Sequence, residues 1–189
     1  MAKIPDEAKK VFEGVIFDVY QWQQKMFDGT AQTFERIKRV NTAEMIVTQG
    51  DLILIQEEQQ PDREPFLTFP GGRIENDEDP LAAAKRELLE ETGYACDRWS
   101  LYREVMPIVK IDWTVYLFVG QDARWVQDPH LDAGEKISVR WVTLDEFLDL
   151  ADSGKLTYFL EQFRTEFVRA KYHAPSREAL RQKLFTASP

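Results

Sequence analysis

Three glutamates lie close together near the middle of the chain, in a segment with the pattern of a helix. Glu87 comes three residues before Glu90 and four before Glu91, so on a helix their side chains share one turn. Like charges at this spacing repel by about 0.2–0.5 kcal/mol per pair, and a helix that keeps them together is expected to bind a cation. Oxygen ligands without cysteine or histidine favour Mg²⁺ or Mn²⁺ over Zn²⁺.

The residues around these glutamates predict where the helix begins and ends. Asp79 is a typical N-cap, Pro80 suits the first helical position, and Gly93 suits the left-handed position after the last turn. Apolar residues recur between these ends at helical spacing and are expected to pack on the core: Leu81, Ala84, Leu88 and Leu89. The pattern therefore predicts a glycine loop followed by a helix with acid on one face.

This segment resembles the Nudix box, GX5EX7REUXEEXGU, in which U is a bulky apolar residue. Its specified positions are matched by Gly72, Glu78, Arg86, Glu87, Leu88, Glu90, Glu91, Gly93 and Tyr94. A solvated, acid-rich amphipathic helix is the plainer alternative, but charge clustering alone does not reproduce the positions of the glycines and the arginine. The resemblance implies an α/β/α sandwich with a mixed sheet, and it extends loosely over residues 41–150.

The resemblance also implies a reaction and a set of metal ligands. In this family, water attacks one phosphorus of a nucleoside diphosphate linked to a second group, and divalent cations neutralise charge on the phosphates. Glu87 and Glu91 are then expected to ligate Mg²⁺, or Mn²⁺ in its place, and Glu90 to hold a further ion or its waters. The carbonyl of Gly71 is another expected ligand, because a Gly-Gly corner lets the main chain approach closely.

Two further residues of the box are expected to orient these ligands. Glu78 and Arg86 would pair with other box residues, and Arg86 would join Glu90 in the catalytic set. The alternative for Arg86 is an ion pair with Glu90 on the helix surface, worth under about 1 kcal/mol, and the two interpretations are compatible.

A general base is expected in the acidic loop DPHLDAGE, residues 128–135, which precedes strand-like sequence at 137–142. The resemblance to ADP-ribose and nucleotide-sugar hydrolases suggests this placement. Glu135 is the preferred base or additional metal ligand, and Asp132 is the second candidate. His130 is a further candidate, since a histidine titrates near neutral pH. The alternative is that these residues are solvated side chains of an ordinary loop.

Three residues outside the box are candidates for substrate binding. Arg63 precedes the box strand, where related enzymes present an arginine to the phosphates, and its guanidinium suits phosphate oxygens. Tyr20 and Trp22 are candidates for stacking on a nucleobase, within one chain or across a subunit interface; packing in the core or in an interface is the alternative for both.

The first forty residues predict a separate β-sheet extension. Strand-like runs at 11–26 and 31–39 flank Asp28-Gly29, which favours a hairpin. The hairpin carries more apolar surface than it can bury alone, and an isolated hairpin is marginal in water. We therefore expect residues 1–40 to lie on the main domain, residues 41–189, or on another subunit. In the dimeric enzymes that the layout resembles, such strands cross to the partner, so a homodimer is expected.

The remaining pattern predicts alternating strands and helices. A tight hairpin is expected at 45–55, with strands near 101–109, 114–119 and 137–142. Thr143 and Glu146 form a capping box for a helix from Leu144. Two more helices are expected at 155–170 and 177–185. The first of these has an apolar stripe formed by Leu156, Phe159, Leu160, Phe163 and Phe167.

Composition narrows the class of protein. The chain has 189 residues, 43% of them hydrophobic, and a net charge of −9, which argues against a nucleic-acid-binding face. The single cysteine excludes an internal disulfide framework, and no run approaches the roughly 20 apolar residues of a membrane span. A cytoplasmic enzyme that needs neither membrane nor nucleic acid is therefore expected.

The layout resembles the ADP-ribose and nucleoside-diphosphate-sugar pyrophosphatases, so the expected products are a nucleoside monophosphate and a sugar phosphate. The proline that usually follows the box in the ADP-ribose group is replaced by Lys110, which leaves the sugar open. The second hypothesis is a MutT-like nucleoside triphosphate pyrophosphohydrolase. A third, of another class, is a non-catalytic nucleotide sensor, but such modules would be expected to lose one of the box carboxylates.

Overall fold

The computed structural model describes residues 3–61, 63–75, 78–157 and 161–186. Strands β1 to β7 are Lys9–Glu13, Phe17–Lys25, Ala31–Arg39, Thr42–Gln49, Leu52–Gln59, Phe66–Thr68 and Gly71–Arg73. Strands β8 to β13 are Tyr94–Ala95, Arg98–Val105, Ile111–Asp112, Val115–Gln121, Arg124–Trp125 and Lys136–Thr143. Helices α1 to α4 are Pro80–Thr92, Leu144–Ser153, Glu161–Tyr172 and Ala174–Phe185. None of these helices is both long and apolar enough to cross a membrane.

A mixed sheet lies at the centre of the molecule, in the order β13-β5-β4-β11-β9, with β6 added to β5 and β7 to β4. Strands β4 and β11 are parallel, and the other pairs are antiparallel. Strand β4 has apolar side chains on both faces because helices cover both faces of the sheet. Met45 packs beneath α1, whereas Ile46 packs with α2, α3 and α4. The predicted α/β/α sandwich is confirmed.

The N-terminal strands form a second sheet, in the order β1-β2-β3-β10. The predicted hairpin is present, with an unbroken antiparallel register between β2 and β3 and a turn in which Gly29 has a φ of 87°. The prediction of one strand over 11–26 is wrong. The strand is interrupted around Gly14, where the main chain is so crowded that a Cβ atom would lie 2.6 Å from the carbonyl oxygen of Phe17.

The two sheets are connected at two places rather than one. Strand β3 continues almost directly into β4, and β10, which pairs in parallel with β3, leads into β11, which pairs in parallel with β4. Between them, the N–H of Thr42 donates to the carbonyl of Thr114 at 3.0 Å, and the N–H of Thr114 donates to the Asn41 side chain at 2.8 Å. Sequence patterns did not reveal β10.

The C-terminal helices differ from the prediction mainly at their first residues. The capping box of Thr143 and Glu146 begins α2 as expected. The prediction of a helix from residue 155 is wrong at its start, because Leu156 forms a β-bridge with Leu67. Phe159 and Leu160 lie outside the described residues. Helix α3 is described from Glu161, and the predicted Phe163 and Phe167 are fully buried in it.

Polar contacts fasten the last two helices to the sheet. The hydroxyl of Tyr102 and the guanidinium of Arg103, both on β9, donate to the two oxygens of Glu166 at 2.6 Å each. On β11, the buried amide of Gln121 donates to the carbonyl of Leu184 at 2.9 Å. These bonds hold the helical layer opposite α1 and leave the face around α1 for the site.

Candidate active site

Helix α1 is placed by its two ends and its apolar face. The Asp79 carboxylate accepts the N–H groups of Leu81 and Ala82 at 3.0 and 3.1 Å, and Gly93 ends the helix with a φ of 72°, as the sequence predicted. The face toward the sheet is buried through Ala83, Ala84 and Leu88. The three glutamates lie along one edge of this buried face, where they line a cleft beside strand β7.

Two glycines bring the preceding strand close to these glutamates. Strand β7 pairs with β4, and a Cβ atom on Gly71 would lie 2.6 Å from the carbonyl oxygen of Ala43. A Cβ atom on Gly72 would lie 2.3 Å from the carboxylate of Glu87. The carboxylate therefore occupies space that any larger residue at position 72 would fill.

Arg86 connects the carboxylates of the box. It binds Glu78 through two bonds, from Nε to Oε1 at 3.0 Å and from Nη2 to Oε2 at 2.9 Å. Its Nη1 group donates to Glu87 at 2.9 Å and to Glu90 at 3.0 Å, and Nη2 reaches the carbonyl of Arg73 at 3.0 Å. These hydrogen bonds lower the pKa of Glu78. The single positive charge of Arg86 is therefore shared by three carboxylates.

Glu91 lies deepest of the acids. Its Oε2 atom accepts the amide of Gln56 at 2.9 Å and the N–H of Gly71 at 3.0 Å. Burial, together with the negative charges of Glu87 and Glu135, raises the pKa of Glu91 to about 8 against the effect of these two bonds. A divalent cation in the cleft would favour the ionised carboxylates.

Main-chain hydrogen bonds connect the acidic loop, and the residues just before it, to the C-terminal end of α1. The N–H of Val126 donates to the carbonyl of Gly93 at 2.8 Å, and the N–H of His130 donates to the carbonyl of Glu90 at 2.7 Å. Just before it lies the short strand β12, paired with β8, which the sequence did not predict. These contacts direct the following residues across the mouth of the cleft.

Glu135 reaches the cleft from the end of this loop. Its N–H donates to the carbonyl of Asp132 at 3.0 Å, which closes a turn just before β13. Burial raises the pKa of Glu135, and the charges of Glu58 and Asp132 act in the same direction. A carboxylate with a raised pKa retains a proton more readily, a property suited to a group that accepts one during a reaction.

The resulting cleft has a volume of about 750 Å³. The sequence-predicted residues that line it are Gly71, Arg86, Glu87, Glu90, Glu91, His130, Asp132 and Glu135. No three acidic, histidine or cysteine side chains of the described residues already surround one point as a closed ligand set. The donors are nevertheless carboxylates and main-chain oxygens around a glycine corner, and this donor chemistry fits a hard divalent cation.

The predicted substrate-binding residues lie elsewhere. Arg63 lines a neighbouring cavity of about 730 Å³, which also includes Glu135, and its guanidinium lies 3.8 Å from the ring centre of Phe66. Tyr20 and Trp22 are on β2 and line neither cavity, and Trp22 contacts Phe34 with 6.1 Å between ring centroids. One chain therefore does not bring these aromatic residues to its own cleft.

Sequence reasoning missed Gln56, which touches Glu91 directly. A signal was present, because Gln56 follows the apolar run Leu-Ile-Leu-Ile at 52–55 and shares a face with the buried Leu54. Two cleft-lining residues beside the glycine corner, Arg73 and Glu75, were missed as well. No pattern in the sequence distinguishes them from ordinary surface charges.

Comparison with known proteins identifies the family. The model of the NUDIX domain matches residues 38–163, and the chain belongs to the Nudix family. It is a Nudix hydrolase, and its reaction class is hydrolysis of a pyrophosphate linkage in a nucleoside diphosphate derivative. Members of this family generally use divalent metal ions.

Two relatives align over most of the chain. An ADP-ribose pyrophosphatase of Bacillus subtilis (strain 168) is 23% identical over 167 residues, covering 86% of this chain and 90% of the relative. A methanol dehydrogenase activator of Bacillus methanolicus is 22% identical over 182 residues, covering 94% of this chain and 95% of the relative. A crystal structure of an ADP compounds hydrolase superposes with a TM-score of 0.71 at 17% identity, covering 91% and 95% of the two chains, a likeness of fold.

The close contact between Gly72 and Glu87 predicts the effect of one added methyl group. Gly72→Ala is expected to lower turnover at least about tenfold, because the Glu87 carboxylate must leave its position. Stability should change little, with the thermal midpoint within about 4 °C of wild type, since the clash is with the far end of a flexible side chain rather than with the main chain. Steady-state kinetics and calorimetry measure the two effects.

Gly120→Ala is the matched control. Its added Cβ atom would lie 2.8 Å from Cys96 Sγ in the core, so it should lower the thermal midpoint and leave the turnover of folded protein unchanged. Wild-type turnover in Gly72→Ala would contradict the importance of this contact.

Proposed function

We propose that this protein hydrolyses the pyrophosphate bond of a nucleoside diphosphate-linked sugar, with ADP-ribose as the first candidate, and that it uses Mg²⁺, with Mn²⁺ as a substitute. The observation that carries the proposal is one cleft lined by Glu87, Glu90, Glu91 and Glu135. The choice of substrate is supported by the similarity to the ADP-ribose pyrophosphatase of Bacillus subtilis along most of both chains.

The proposed metal ligands are the acids of α1 and the glycine corner. Glu87 and Glu91 would bind the ion directly, Glu90 would hold a further ion or its waters, and Gly71 would contribute its carbonyl. When bound, the metal would neutralise charge on the phosphates and activate a water molecule. Arg86 supplies one guanidinium to three box carboxylates, and its two bonds to Glu78 fix its orientation.

The proposed general base is Glu135. As the oxygen of water bonds to one phosphorus and the bridging P–O bond breaks, the Glu135 carboxylate would take the proton from that water. The products are a nucleoside monophosphate and a sugar phosphate. Arg63, in the cavity that shares Glu135, would bind phosphate oxygens beside this position.

The nucleobase is proposed to bind on the N-terminal extension of a partner subunit. Tyr20 and Trp22 line neither cavity of their own chain. The same extension exposes apolar side chains to an unusual extent, among them Val11 at 53% and Phe12 at 59%. A patch of this kind is typical of a protein interface, and a second copy of the chain would cover it.

Substrate choice is tested by a hydrolysis screen with ADP-ribose, GDP-mannose, UDP-glucose, diadenosine polyphosphates, NADH and 8-oxo-dGTP. With Mg²⁺ present, we expect the diphosphate-linked sugars to yield a nucleoside monophosphate and a sugar phosphate, and chelation of the metal to stop the reaction. Release of pyrophosphate from triphosphates alone would instead support the MutT-like hypothesis. Binding without turnover of any compound would support the sensor hypothesis.

The base is tested by comparing three loop variants at saturating Mg²⁺. Glu135→Gln is expected to lower kcat by about 10²–10⁴-fold, the usual contribution of a general base. Asp132→Asn and His130→Ala lose other titratable side chains of the same loop and should retain most of the activity. Near-wild-type turnover in Glu135→Gln would contradict this role, and a large loss in Asp132→Asn alone would transfer it to Asp132.

The subunit arrangement is tested by sedimentation equilibrium at micromolar concentration. The wild-type protein is expected to be a dimer, and Phe12→Glu to shift it toward monomer because a charge would be buried in the interface. Leu101→Glu is the control, since Leu101 is 52% exposed on the edge strand β9 of the other sheet. A monomeric wild-type protein would contradict the proposed dimer.

A further inference from the structure

Gln56 is a fully buried amide in the centre of the main sheet. It lies on β5, where it pairs with Val139 of β13 and Thr68 of β6, and its exposed fraction is 0%. Leu54, two residues earlier on the same face, packs in the core beneath α1. Burial of an amide is unfavourable unless its polar atoms are hydrogen-bonded, so a glutamine at this position needs an explanation other than packing.

The two polar atoms of this amide have unequal contacts. Nε2 donates to Oε2 of Glu91 at 2.9 Å, whereas Oε1 is buried and has no donor among the described residues. Rotating the amide by half a turn would place its oxygen against the carboxylate, so that two acceptors faced each other. The carboxylate therefore sets the orientation of Gln56, at the expense of an unpaired acceptor.

Both donors to Glu91 bind the same carboxylate oxygen. The N–H of Gly71 reaches Oε2 at 3.0 Å, beside the amide of Gln56. Among the hydrogen bonds of the described residues, none is accepted by Oε1 of Glu91. The side chain is thus held through one oxygen, and the other remains available in the cleft.

We propose that Gln56 is a positioning residue for metal binding, which holds Oε2 of Glu91 so that Oε1 is presented to the divalent cation. This inference rests on the metal site proposed above. An amide suits the task because it donates a hydrogen bond without carrying charge. Lysine or arginine would compete with the ion for the carboxylate, and glutamate would remove the donor and add a repelling charge. Partners that orient a metal ligand typically change metal affinity by about 10–100-fold.

The test measures Mn²⁺ binding without substrate, from the electron paramagnetic resonance signal of the free ion. Gln56→Met keeps the length and bulk of the side chain and removes its donor, so we expect affinity to fall at least about tenfold. The control is Gln121→Met, which removes a buried amide that donates to the carbonyl of Leu184 on the opposite side of the sheet. It should lower stability and leave Mn²⁺ affinity unchanged.

The outcomes distinguish the role of Gln56 from the existence of the metal site. Wild-type affinity in Gln56→Met, or an equal loss in Gln121→Met, would overturn the role of Gln56 while the metal site stood. Failure of the wild-type protein to bind Mn²⁺ would overturn the metal site and this inference together. If Gln56→Met does not fold, the test uses the NMR signals of the side-chain amides in ¹⁵N-labelled wild-type protein instead. Addition of Mg²⁺ should shift the Gln56 signal and not that of Gln121, and an unmoved Gln56 signal would overturn the proposal.

Discussion

The constraint on which this structure depends is the burial of several carboxylates around one cleft. Burial raises the pKa values of Glu87 and Glu91, which shows how unfavourable their ionised forms are in this position. The surroundings compensate only in part. Arg86 brings a single positive charge, and Gln56 and Gly71 bring neutral donors. Acidic groups therefore outnumber the groups that balance them in the cleft, and a divalent cation would stabilise their ionised forms.

Several features of the fold follow from this constraint. Strand β7 lies against both β4 and α1. A Cβ atom at position 71 would meet the main chain of β4, and one at position 72 would meet the Glu87 carboxylate, so both residues are glycine. The helix must hold its acids in place, so an apolar face and two well-defined caps fasten it to the sheet. The acidic loop is fastened to the end of the same helix by main-chain bonds, which brings Glu135 to the cleft from a distant part of the chain.

Sequence patterns predicted the parts of the molecule that depend on local chemistry. The caps of α1, the hairpin of β2 and β3, and the capping box of α2 each rest on a few neighbouring residues, and all are confirmed. Some parts that depend on distant contacts were missed. Strand β10 exists because Ile111 meets Ile37 across more than seventy residues, and Gln56 belongs to the site only because the fold places it beneath Glu91.

The double connection between the two sheets makes the N-terminal extension more than a leading segment. The chain enters the main sheet through β3 and β4, leaves it after β9, and adds β10 to the extension before it returns as β11. The extension is therefore completed by a strand encoded far downstream. Removing the residues before β4 would leave β10 without the strand it pairs with, and a hinge at residues 40–41 would be restrained by this second crossing.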